Sequence, residues 1–154
     1  MLRRFLSSCP MSLGALRILY VTDQRVDQAL AGVAINTTDL DIWLYNARST
    51  QHALDWLEGA GDYSDRLLHP FPDVVMLDLG VSLGSGLDLL DRMKRSSYSS
   101  VPVVVFSSPA WEPETKHALK SGADICVEKP SEFKGFPLAL KSIYEFGMQK
   151  RVES

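Results

Sequence analysis

PDVVMLDLG, residues 72–80, is the stretch on which the reading of the fold turns. Val74 to Leu77 form a short apolar run rich in branched side chains, the pattern of a strand buried on both faces in a parallel sheet. The run ends abruptly on a carboxylate, Asp78, followed by Leu79 and Gly80. The same pattern recurs outward in both directions: Ile18 to Val21 upstream, Val103 to Phe106 and Ile125 to Val127 downstream, with Ile42 to Tyr45 as a weaker fifth strand. Helical spacing fills the intervals, with Val26, Leu30 and Val33 on one face, then Ala53, Leu54 and Leu57, then Leu87, Leu90 and Met93. Ser49 and Ser85 read as N-caps, the second with Asp88 three residues on, and Gly59 and Gly122 fall where helix C-caps belong. Pro113 and Pro137 suit the first turns of two later helices, the last running through Tyr144 and Phe146. Strands alternating with helices predict an α/β fold, an open doubly wound parallel sheet with helices on both faces.

Length and composition agree with one such domain. The 154 residues are 45% hydrophobic and 23% charged, typical of a globular chain with an ordinary core. Lys and Arg number 16 against 19 Asp and Glu, a net charge of -3, so no overall positive field favours nucleic acid or an acidic membrane as partner. Two cysteines, Cys9 and Cys126, fit a reducing compartment, and the expected location is cytoplasmic. The opening MLRRFLSSCPMSLGA is broken by Ser7, Ser8, Cys9 and Pro10, too early for a secretory apolar segment. Residues 1–14 therefore read as an N-terminal extension, with Met11 an alternative start, residues 15–148 as the domain and 149–154 as a tail. Gly59 to Pro72 is longer than αβ turns normally are and reads as a surface loop.

In open α/β sheets ligands bind beyond the carboxyl ends of the strands. There this chain delivers Thr22-Asp23-Gln24 after the first strand, Asp78 after the third, Ser107-Ser108 after the fourth and Lys129-Pro130 after the fifth. A lone aspartate at a strand end is commonly a cap, a lone lysine a surface group, and two serines before Pro109 a turn. Joint arrival from four strands selects the chemical reading. Hard oxygen donors suit Mg²⁺, which keeps several waters and takes one or two carboxylates. A neighbouring aspartate can then accept a phosphoryl group, if metal, ammonium and hydroxyl offset the charge on its oxygens. In that reading Asp78 is the nucleophile, Asp23 a metal ligand, Ser107 a hydrogen-bond donor and Lys129 the counter-charge.

On these residues the chain resembles a response-regulator receiver domain of the CheY type. The resemblance rests on VTDQ at 21–24, PDVVMLDL at 72–79, Gly86, VPVVVFSS at 101–108 and GADICVEKP at 122–130, and it spans about residues 16–147. GDYSD in the long loop and the ending EKPSEFKGFPLALKSIYEF further resemble single-domain regulators that pair with phytochrome-type histidine kinases. The resemblance implies a flavodoxin-like sheet of order 2-1-3-4-5 and phosphorylation of Asp78 by a phosphohistidine on a sensor kinase. It also implies Mg²⁺ held by Asp23, Asp78 and the Gly80 carbonyl, and a cis Lys129-Pro130 peptide. Such domains catalyse their own phosphorylation and hydrolysis, so they act as switches more than as enzymes.

The chain departs from the family pattern at three places. Thr22 stands where an acid is usual, Ser82 where a proline is usual, and Cys126 where an aromatic ring is usual. Cys126 reads as a small buried hydrophobe. Two rivals follow: a pseudo-receiver that signals without phosphorylation, and a hydrolase with an aspartyl-phosphate intermediate, which lacks the second acid because that position is Gly80. Gly80, Gly84 and Gly86 do not complete a dinucleotide fingerprint, and His52, His69 and His117 share no ligand spacing. In the last helix Leu140, Tyr144 and Met148, with Ile143 and Phe146 beside them, exceed one buried stripe. Signalling by protein contact, and self-association as a homodimer through that face, are therefore expected.

Overall fold

A computed structural model describes residues 14–153. Five parallel strands form one sheet in the order β2-β1-β3-β4-β5: β1 (Leu16–Val21), β2 (Ile42–Ala47), β3 (Val74–Leu77), β4 (Val103–Ser107) and β5 (Ile125–Glu128). Helices α1 (Arg25–Asn36), α2 (Thr50–Glu58), α3 (Gly86–Lys94), α4 (Glu112–Lys120) and α5 (Phe136–Glu153) connect and cover the strands. This is the doubly wound arrangement expected from the alternation of runs and helical patterns. The order reverses between β1 and β3, and that crevice is where such sheets place a site.

Alternation along each strand divides the core in two. Leu19, Val21, Val75, Leu77, Val103 and Val105 face α2 and α3, meeting Leu54, Leu57, Leu89 and Met93. Leu16, Ile18, Tyr20, Val74, Met76, Val104 and Phe106 face α1 and α5, meeting Ala34, Ile35, Phe136, Leu140 and Ile143. At Gly86 a Cβ would lie 2.7 Å from the Leu79 Cα, so only glycine lets α3 start this close to the end of β3.

Local signals held in part. Ser49 caps α2 by accepting from the His52 N–H, Gly59 closes it in the left-handed region at φ 68°, and Pro113 lies in the first turn of α4. Ser85 makes no side-chain cap; its hydroxyl donates to the Val81 carbonyl, because a short helical turn, Val81–Gly84, already occupies the space before α3. On α1 the inward face is Ala31, Ala34 and Ile35, whereas Val26 and Val33 are exposed. Of the expected stripe only Leu30 packs, half-buried, on the core; Ala31 and Ala34 let α1 approach α5 and β2 closely, with Ile35 filling the space beside them. Strand β5, expected to be buried on both faces, is an edge strand with Ile125 and Val127 half-buried. Cys126, expected to be buried, is exposed on its outer face. Leu140 and Ile143 are fully buried, and Tyr144, Phe146 and Met148 pack half-buried on the same core, so most of the extra apolar circumference of α5 is used internally. Among the described residues every peptide bond is trans, Lys129-Pro130 included, which corrects the cis bond implied by resemblance. Trans is the lower-energy form even before proline, and the Lys129 N–H bonded to the Ser107 carbonyl carries the extended strand straight into it. Cys9 and the proposed extension fall outside the described residues, apart from Gly14.

Candidate functional site at the carboxyl end of the sheet

Strand parity decides which side chains meet. Thr22, Asp78 and Lys129 each follow an α1-facing residue by two positions, after Tyr20, Met76 and Val127, so all three emerge on the α1 side of the rim. Ser107 follows Val103 and Val105 and emerges on the opposite side. The rim is therefore a two-sided jaw around Asp78.

Asp78 is 4% exposed, and both carboxylate oxygens are engaged. Its Oδ2 accepts from the Thr22 hydroxyl at 2.8 Å, and Lys129 Nζ lies 3.8 Å from the same oxygen. Its Oδ1 accepts from the Gly80 N–H at 3.0 Å. Thr22 is fully buried, so its departure from the usual acid places a neutral donor in contact with the acceptor, where a carboxylate would repel it. Ser107 is buried beside Asp78, but its Oγ accepts from the Leu79 N–H at 2.9 Å, which pins the chain just after the acceptor. Asp23 is exposed, and its Oδ2 accepts from the Ser82 N–H at 3.1 Å.

The sequence-predicted residues are thus brought to one rim, but their partners include residues that the sequence reading missed. Lys129 Nζ is 2.7 Å from Asp27 Oδ2, much closer than to Asp78. Asp27 lies in the first turn of α1, where the helix dipole favours an acid. The available signal was its spacing, one turn beyond Asp23 on the helix that follows β1. In the sequence Ser82 stands out only as the absence of a proline. Its φ of 51° and its donated N–H are two things a proline cannot supply. Leu83 follows at φ 62° and is fully exposed, while the Ser82 hydroxyl accepts from the Thr50 N–H at the start of α2. Trp111, half-buried, brings its ring to the rim at Gly80, where a Cβ would lie 3.2 Å from it. Beneath the site, Tyr20 is fully buried, its hydroxyl has no hydrogen-bond partner, and its pKa is pushed well up by burial and then by the negative charges of Asp27 and Asp78.

At this rim the charged oxygens are the Asp23 and Asp78 carboxylates, with the Gly80 N–H bonded to Asp78 Oδ1 and the Ser82 N–H to Asp23 Oδ2. That set is hard and partly open, which suits a small divalent ion that keeps most of its water. Among the described residues no three His, Cys, Asp or Glu side chains gather into a protein-built cage.

Residues 18–141 match the model of the response regulator receiver domain. The chain belongs to that family. Receiver domains are the phosphorylation modules of two-component response regulators; they work with histidine kinases and generally bind a divalent metal. The phosphate regulon transcriptional regulatory protein PhoB of Escherichia coli K12 is 31% identical over 88 residues, which are 54% of this chain and 38% of PhoB. KdpE of Mycobacterium tuberculosis is 40% identical over 72 residues, 47% of this chain and 30% of KdpE. The chain thus spans well under half of these curated relatives. Among solved structures, the phosphorylated cyanobacterial phytochrome response regulator RcpA aligns with a TM-score of 0.76 at 23% identity, over 88% of this chain and 96% of that one, a likeness of fold. The bacteriophytochrome response regulator RtBRR aligns at 0.68 with 32% identity, over 84% of this chain and 78% of that one. A third neighbour is the Mn(2+)-bound form of response regulator Rcp1, at 0.72 and 23%, over 85% of this chain and 93% of that one.

Proposed function

We propose that this receiver domain accepts a phosphoryl group on Asp78 from a phosphohistidine of a sensor histidine kinase, and passes the signal on by protein contact. The observation that carries this reading is the buried Asp78 carboxylate at the β1/β3 switch point, with a hydroxyl, a backbone N–H and the Lys129 ammonium around it. In the transfer, one Asp78 oxygen forms a P–O bond as the P–N bond to the kinase imidazole breaks; the imidazole nitrogen keeps the electron pair and takes a proton. Asp23, Asp78 and the Gly80 carbonyl would hold Mg²⁺, which when bound supplies positive charge against the phosphoryl oxygens. Thr22 orients the acceptor by donating to it, Lys129 supplies a charge-assisted bond to the added group, and the Ser107 hydroxyl proton is a further donor to it. Similarity to RtBRR favours a phytochrome-type kinase as partner. A second copy of this chain is the other proposed partner, through α5, where Leu138 and Val152 are exposed.

Incubation with Mg²⁺ and acetyl phosphate, followed by intact mass, tests the acceptor. One added phosphoryl is expected, and none on Asp78→Asn. A gain that survives in Asp78→Asn would move the acceptor elsewhere, and no gain in the parent would favour the pseudo-receiver reading, to which the neutral Thr22 in contact with Asp78 already lends itself.

A further inference from the structure

Lys129 does not rest on the acceptor. Its Nζ lies 2.7 Å from Asp27 Oδ2 and 3.8 Å from Asp78 Oδ2, and the side chains of Asp27 and Lys129 are only 19% and 16% exposed. At equal dielectric the nearer pair is the stronger, and partial burial spares it much of the screening that weakens surface pairs. We propose that Asp27 is a positioning residue: it holds Lys129 in the resting chain and competes with the incoming phosphoryl group for that ammonium. The proposal rests on Asp78 being the acceptor.

The competition follows from the fold. Parity sends Lys129 to the α1 side of the rim, and α1 presents Asp27 there from its first turn. Asp78 meanwhile has its needs met without the lysine, by the Thr22 hydroxyl and the Gly80 N–H. Once a phosphoryl group adds charge and acceptor oxygens at Asp78, Lys129 is drawn away from Asp27. Asp27 is then left partly buried with no cation, beside a Tyr20 hydroxyl that is itself unpartnered. That residual cost is paid only in the phosphorylated state, so Asp27 disfavours that state and sets the threshold of the switch.

The test follows the rate of phosphoryl uptake from acetyl phosphate by intact mass, in Mg²⁺, as an Asp78 oxygen displaces acetate, which leaves with the electron pair. Asp27→Asn keeps the shape and an oxygen for Lys129 but removes the charge, and should be labelled about threefold faster or more. Asp27→Glu, which restores the charge, should return the rate toward that of the parent. In a Lys129→Met background most of the Asp27→Asn gain should disappear, a coupling that a merely structural role would not produce. A parent that labels while Asp27→Asn labels no faster, or a gain undiminished without Lys129, overturns the proposal and leaves the acceptor role standing. No uptake by either the parent or Asp27→Asn overturns the acceptor role, and this proposal with it.

Discussion

Thr22 shows how much one side chain sets at this rim. Its hydroxyl is fully buried and donates to Asp78 Oδ2, so the acceptor is satisfied by a neutral partner. Thr22→Asp would press two carboxylates together at hydrogen-bond distance, which without a bound divalent ion destabilises the fold by like-charge repulsion. With a divalent ion present the extra ligand should tighten Mg²⁺ binding about tenfold. The measurement is a Mg²⁺ titration alongside thermal unfolding with and without the ion. The variant should melt below the parent in metal-free buffer and gain more from Mg²⁺. Equal affinity in the two chains would place residue 22 outside the metal's reach.

At the scale of elements, the segment between β3 and α3 is the strained one. Ser82 and Leu83 both have positive φ, and Leu83 projects wholly into solvent, where it gains no packing in return. A branched residue in the left-handed region costs roughly 1–2 kcal/mol, which asparagine largely avoids. Leu83→Asn should therefore stabilise the domain by about 1 kcal/mol, read from the urea midpoint at an unchanged slope. A loss of stability would mean that Leu83 has an apolar partner. Ser82 holds this turn against two neighbours, donating its N–H to Asp23 and accepting from Thr50, which ties α2 to the rim. The absent proline is thus explained by backbone geometry, and that geometry was not legible in the sequence: a serine in place of a proline says only that φ is no longer restrained.

Over the whole molecule, the end of the sheet opposite the site is closed by Asp73. It accepts from the Arg17 N–H at 2.8 Å and from Arg151 at 2.6 Å, joining β1 to the far end of α5, which runs on to Glu153. Burial pushes its carboxyl up, but the Arg17 N–H and the two guanidinium groups pull harder, and the net effect holds it below its ordinary value of 3.8. A group with a lowered folded pKa adds stability that is fully present above the ordinary value and is lost as pH falls through the lowered one. The parent should lose stability progressively below about pH 4. Asp73→Asn should be less stable at neutral pH and show a flatter acid limb, as measured by urea unfolding from pH 2 to 7. An acid limb as steep in the variant as in the parent would assign it to other carboxylates.

The strand runs, their spacing and the polar residues at their ends were enough to determine the fold class and to bring Asp23, Asp78, Ser107 and Lys129 to one rim. Burying a short apolar strand on both faces requires a parallel sheet with helices on each side, and that sheet has one functional end. Periodicity alone was right on α1 only for Leu30, which packs half-buried on the core; Val26 and Val33 face outward while Ala31, Ala34 and Ile35 face the sheet, because helix packing distance, a property of the assembled layers, chose the face. It failed at Cys126, whose exposure depends on β5 being the last strand in the order. Which partner each rim residue has was a tertiary decision throughout. Asp27 and Lys129 are 102 residues apart in the chain; only the side of the sheet on which each emerges, and the placement of α1 across it, brings that carboxylate closer to the ammonium than Asp78.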